Sequence, residues 1–191
     1  FADHSANSSF VAADLLSQAE HGTDSQVILV TDHEPLLKNV QEEIEKQLQL
    51  LPRKEFARQS LASSKAILVK KREEGMQFLN AYAPEHLILS CEDAEIFSEQ
   101  VVNAGSVFIG HYSPESAGDY ATGTNHTLPT NGYAQAYSGV SVDSFVRKIT
   151  FQQLTREGLA NVGNAVQVMA EAEGLHAHAE AVRIRLQNIS K

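Results

Sequence analysis

Short apolar runs alternate along this chain with longer stretches in which apolar residues recur every three or four positions. QVILVT at residues 26–31 is a run bounded by turn residues and predicts a buried strand. KAILVK at 65–70 predicts another buried strand, and HLILSC at 86–91 and GSVFIG at 105–110 predict two further strands. Between the runs the spacing is helical. Ser8 or Ser9 can cap a helix through FVAADLLSQAEHG, with Phe10, Val11, Leu15 and Leu16 as its apolar positions and Gly22 as its stop. Glu34 and Pro35 open a helix to about residue 51 with Leu37, Val40, Ile44 and Leu48 on one stripe, and Pro52 ends it. A further helix spans about 53–62, and REEGMQFLNAYA and EDAEIFSEQVV predict two shorter ones. Strands alternating with helices predict an α/β fold with crossover connections.

The texture changes after a polar, turn-rich loop, GDYATGTNHTLPT at 118–130. From Ser141 the pattern predicts helices only, with Phe145, Val146 and Ile149 as one apolar set and Gly158 and Gly163 as interruptions. A boundary near 138–141 follows. The opening FADHSANSSF lacks a basic region and an apolar core, so it does not read as a signal peptide. It reads as the exit of a strand, which predicts that a preceding part of the protein is absent.

Composition narrows the partners. The net charge of −9 argues against a nucleic-acid backbone. No apolar run is long enough to span a membrane. A single cysteine, Cys91, forms no internal disulfide and suits a reducing, cytoplasmic compartment. With 191 residues and 42% hydrophobic content the chain can bury a core.

The chain has eight histidines. Gln18 and His21 lie three apart and share a helix face; the plainer reading is a polar last turn with the histidine complementing the helix dipole. Glu85 and His86 follow Pro84 at the start of a strand, an arrangement suited to general acid–base chemistry, against a simple polar strand cap. Asp119 and His126 flank the glycine-containing turn, where they can fold into one cleft as an O/N pair fit for zinc or manganese, or merely cap a turn and face solvent. His176 and His178 point apart on a helix, so at most one joins a given site. There is no G-x-G-x-x-G, Walker A, G-x-S-x-G or C-x-x-C motif. Residue spacing alone supports an N/O metal site and no more.

LLSQAEHG, APEHLIL, GSVFIG, SPESAGDYATGTNHTLPT and EGLHAHAEAVRIRL, in this order, resemble histidinol dehydrogenase, which makes histidine from histidinol in two successive NAD-dependent oxidations. The resemblance covers essentially the whole chain and corresponds to the C-terminal half of that family's polypeptide. It implies an α/β fold of incomplete Rossmann-like layers followed by a small all-helical C-terminal region. The implied segments are 1–80, the second half of a Rossmann-like domain; 81–140, carrying the Glu-His pair and the Asp/His loop; and 141–191, helical and dimer-forming. It also implies a zinc ion held by Gln18, His21, Asp119 and His178, the last from the partner subunit of a homodimer. Glu85 and His86 are the implied acid–base residues, with His126 and Glu173 contacting the substrate, L-histidinol, alongside His86 and the metal ligands. The NAD contacts are implied to lie mostly in the missing N-terminal half, so the chain alone should bind NAD poorly and turn over little or nothing. Two rival readings are a non-catalytic metal-binding or regulatory module of the same fold, and an interaction domain whose polar loop is only structural.

Overall fold

A computed structural model of the protein describes residues 1–189. The first helix, α1 (Ser8–Ala19), is capped by the residue before Ser8 rather than by either expected serine. Asn7 is the N-cap, and its side chain accepts the Ser9 amide at 2.9 Å. The helix ends at Ala19, short of Gly22, and buries Val11, Ala12, Leu16 and Ala19 along one stripe. β1 (Ile28–Thr31) follows, then α2 (Glu34–Leu48) and α3 (Lys54–Ser63), close to the spans read from the pattern. β2 (Lys65–Leu68), α4 (Arg72–Tyr82), β3 (His86–Leu89), α5 (Ala94–Ser98) and β4 (Ser106–Ile109) complete the alternation.

β1 pairs in parallel with β2, and β3 in parallel with β4, four residues per strand. The opening residues join the pairs. Ala2 forms a parallel bridge to Thr31 on one side and to Ser90 on the other. The Phe1 nitrogen donates to the Ile88 carbonyl at 2.7 Å, and the Ala2 amide to the Val30 carbonyl at 3.0 Å. The strands therefore run in the order β2, β1, Phe1–Asp3, β3, β4, the Rossmann-like arrangement with the reversal of direction beside residues 1–3. Alternation divides the core. Val30 faces Phe1, Met76, Leu79, Leu89 and Phe97, whereas its neighbour Leu29 faces Val11, Leu36 and Val40 on the other side.

Several expectations are corrected. β2 was expected to be buried, but Lys65, Ala66 and Leu68 are exposed because it lies at the end of the strand order. α5 is a single short helix rather than the full EDAEIFSEQVV stretch. The polar loop is partly helical: α6 (Glu115–Tyr120) takes in its first three residues, so Asp119 sits on a helix rather than beside a turn. Residues 141–154 contain only a 3-10 turn, Val142–Phe145, and Thr155 then caps the next helix by accepting the Gly158 amide at 3.0 Å. Phe145, Val146 and Ile149 are exposed.

That helix, α7 (Arg156–Ala172), runs through Gly158 and Gly163 without interruption and is followed by α8 (His176–Ile189). A Cβ on Gly163 would stand 2.8 Å from Leu186, so the glycine permits the close approach of α8. The chain divides into two compact units, Phe1–Phe145 and a second from Val146 onward. The segments 1–80 and 81–140 thus share one unit and one line of strands. Among the described residues no helix is long and apolar enough to cross a membrane.

Gly105 precedes β4, and a Cβ there would lie 2.5 Å from the Glu85 carbonyl oxygen. Gly105→Ala should therefore push β4 away from the start of β3 and destabilise the fold by about 1–3 kcal/mol. Urea denaturation checks this, and a loss below about 0.5 kcal/mol would mean that the strands relax freely there.

Candidate active site at the entrance of strand β3

The turn that delivers Glu85 and His86 is tightly specified. α4 ends at Ala83, which is buried and adopts the left-handed conformation (φ 52°) while its amide donates to the Leu79 carbonyl at 2.9 Å. A non-glycine residue at positive φ is uncommon and needs support from its surroundings. Pro84 follows, with its φ fixed by the ring and no amide to donate. Its carbonyl accepts the Gly105 amide, and the Glu85 carbonyl accepts the Ser106 amide, both at 2.9 Å. The acid–base pair is thus clamped by backbone pairing before β3 begins.

Asp119 arrives from α6. Gly118, beside it, presses on the ring of Phe108 in β4; a Cβ at Gly118 would stand 2.6 Å from both Phe108 and the Thr124 hydroxyl. The Phe108 ring in turn lies 6.0 Å from the His86 ring, centroid to centroid. This packing carries α6 to His86. The metal-capable atoms of His86, Glu115 and Asp119 all lie within 4.8 Å of one another. Glu115 is four residues before Asp119 on the same helix face. Its side chain is 3% exposed, and its Oε1 stands 3.6 Å from His86 Nε2.

α1 contributes from its C-terminal end. Gln18 occupies the last turn, and His21 follows beyond the helix with its amide donating to the Gln18 carbonyl at 3.3 Å. Gln18 lies against Glu115, and His21 is near enough to Glu85 and His86 to affect both. Asp14, Gln18, Glu85 and His86 line a cleft of about 1100 Å³.

Burial dominates the electrostatics. It pushes the Glu85 carboxyl up, with His21 opposing and Asp119 reinforcing the rise. It pushes His86 down, favouring neutral imidazole, against the pull of Asp119. The Glu115 carboxyl is driven up to about 7 by burial and then by Asp119 beside it. Asp14, one turn before Gln18, is raised to about 6 by burial. Gln18 Nε2, His86 Nε2 and Glu115 Oε1 are buried without a hydrogen-bond partner. Buried polar atoms are normally paired. Three unpaired atoms facing one another from α1, β3 and α6 mark a place shaped for a ligand or cation. Neutral imidazole beside a carboxyl that holds its proton near neutrality can exchange protons with a bound substrate.

Of the residues singled out from sequence, the structure groups Gln18, His21, Glu85, His86 and Asp119. His126 is exposed in the loop after α6, and Asp119 lies on that helix. Glu173 caps the C-terminus of α7 and His178 lies in the first turn of α8, both exposed, in the second unit. Sequence reasoning passed over Glu115 and Asp14. Their signal was spacing: each stands four residues before a chosen residue, Asp119 and Gln18.

Residues 1–186 match the family model described as histidinol dehydrogenase. A histidinol dehydrogenase of Bacteroides fragilis is 62% identical over 190 residues, covering 100% of this chain and 44% of its own length. The chloroplastic histidinol dehydrogenase of Arabidopsis thaliana is 54% identical over 189 residues, covering 98% of this chain and 41% of its own. The crystal structure of histidinol dehydrogenase from Elizabethkingia anophelis superposes with a TM-score of 0.96 at 56% identity, covering 100% of this chain and 44% of that one. The chain thus spans less than half the length of these relatives.

A carboxyl whose pKa rises on folding holds its proton more tightly in the fold, so stability falls as pH climbs from the unfolded value of 4.5 to about 7 and levels off above. Glu115→Gln cannot ionise. In the presence of a chelator, its stability advantage over the parent should grow from about pH 5 to about pH 7 and then stay constant. A difference independent of pH, read from denaturation midpoints, would mean that Glu115 ionises freely.

Proposed function

This chain belongs to the histidinol dehydrogenase family, and we propose that it is part of a zinc- and NAD-dependent enzyme that oxidises L-histidinol to L-histidine through a bound aldehyde, in histidine biosynthesis. The observation that carries this reading is the grouping of Gln18, His21, Glu85, His86 and Asp119 around unpaired buried atoms at one end of the strands.

The residues present fit a divalent cation. Two carboxyls, an imidazole and the Gln18 carboxamide, whose oxygen can ligate, form an N/O donor set, and a positive charge would relieve the crowding of the carboxyls and give the unpaired Glu115 Oε1 a partner. Gln18, His21 and Asp119 would hold it, with the partner subunit's His178 as the fourth donor in a homodimer. A bound zinc would orient the substrate through its nitrogen atoms, and NAD would accept the hydride of each oxidation.

The remaining work falls to side chains. His86 Nε2 is free to take the hydroxyl proton of the alcohol, and burial keeps that imidazole neutral and ready. Glu85, clamped beside it, takes the proton from the water that adds to the aldehyde. His126 and Glu173 contact the substrate. The walls of the cleft keep the aldehyde from bulk water between the two steps. The parts of the enzyme outside this chain supply most of the NAD contacts, so the chain alone turns over little or nothing. The net charge of −9 speaks against nucleic acid as a partner. A cytoplasmic location is proposed from the single cysteine, although the Arabidopsis relative is named chloroplastic.

In the assembled enzyme, His21→Ala and Asp119→Asn should lose zinc by elemental analysis. His86→Ala should keep zinc and lose roughly 10²–10⁴-fold in kcat. Glu85→Gln should spare the first hydride transfer, seen as a single-turnover burst of NADH, and impair the second. Stoichiometric zinc in Asp119→Asn would overturn the assignment.

A further inference from the structure

Resting on the reading that Gln18 and Asp119 hold a cation, we infer that Glu115 is a positioning residue of the site, whose carboxyl braces these two ligands and faces the base His86. Four observations carry it. The side chain is 3% exposed, deeper than any ordinary surface glutamate, and it is the one buried carboxylate of α6. It lies against Gln18 from α1 and Asp119 from its own helix, so one group touches two ligands contributed by elements far apart in sequence. Its Oε1 and His86 Nε2 confront each other at 3.6 Å, too long for a hydrogen bond, and neither has another partner. Finally, the N-cap of α6 is Pro114, and no side-chain capping bond is made there, so Glu115 is not explained as part of a helix cap.

A carboxylate buried merely for stability would have both oxygens paired, whereas Oε1 of this one is not. This one is enclosed, 3% exposed, between two ligands and a base, on a helix whose Gly118 packs on Phe108. Groups that touch ligands from behind fix their orientation, and their loss characteristically lowers metal affinity by roughly 10–100-fold. Glu115→Gln keeps the shape and removes the charge. Glu115→Ala removes both. Glu115→Asp keeps the charge on a shorter arm.

The test is zinc affinity of the assembled enzyme, read by competition with a chromogenic chelator, beside the thermal midpoint of the metal-free form. We expect Glu115→Gln and Glu115→Ala to weaken zinc binding by roughly 10–100-fold. Glu115→Asp should recover part of that loss. The metal-free midpoint of Glu115→Gln should not drop, which separates positioning from simple stability. Asp119→Asn serves as the reference and should lose zinc outright. If both Glu115→Gln and Glu115→Ala bind zinc within about twofold of the parent while Asp119→Asn does not, the inference is overturned and the metal site stands. If Asp119→Asn also keeps its zinc, the functional reading fails and the inference falls with it.

Discussion

The structure depends on three residues of extended chain. Phe1–Asp3 lie between β1 and β3, bonded to the Val30 carbonyl on one side and to both the carbonyl of Ile88 and the backbone of Ser90 on the other. Without them the strands form two separate parallel pairs of four residues each, and a two-stranded sheet has little stability alone. With them, Phe1, Val30, Leu87 and Leu89 meet in one apolar cluster. The same segment fixes where chemistry can occur. α1 leaves the carboxyl end of this strand and must return to the amino end before β1 can run parallel to it. Its last turn, with Gln18 and His21, is thereby delivered to the edge where the neighbouring β3 starts with Glu85 and His86.

This location is unusual for layered α/β sheets, whose ligands bind at the carboxyl ends of the strands beside the reversal in strand order. Here the polar groups at those carboxyl ends pair with one another. Ser90 Oγ and His111 Nδ1 lie 2.9 Å apart, and His111 Nε2 stands 3.3 Å from Ser5 Oγ. Asp3 accepts the amides of Ser5 and Glu92, both at 2.9 Å. Burial works against its charge, but these donors prevail and hold its carboxyl below the usual range. At the amino end the balance is reversed: burial raises Glu85, Glu115 and Asp14, and Gln18 Nε2, His86 Nε2 and Glu115 Oε1 are left without partners. One edge is satisfied within the chain and the other is left needing a ligand.

How much of this is legible in the sequence varies with the length of the pattern. The apolar runs at 26–31, 86–91 and 105–110 contain the strands seen, with β1 the most deeply buried of them and Ile109 of β4 exposed. KAILVK has the same look but lies at the end of the strand order, and nothing in six residues reveals position in a sheet. α6 is too short to show a helical period, and its glycine disguises it as a loop. Asp119 could be chosen from the motif it belongs to, whereas Glu115 became visible only once the helix placed it behind Asp119. Phe145, Val146 and Ile149 have helical spacing yet lie in a stretch with only a 3-10 turn, since spacing without burial does not make a helix. No pattern could reveal that residues 1–3 are the centre of the sheet, because three residues carry no period.

The central claim is that the amino end of the strands is the cation-binding edge. Anomalous diffraction at the zinc absorption edge, from crystals of the zinc-loaded enzyme, tests it directly. The account predicts one dominant peak enclosed by Gln18, His21 and Asp119, beside Glu85 and His86. A dominant peak at the opposite edge instead, for example near His4 and Glu92, which approach to 3.9 Å there, would contradict it.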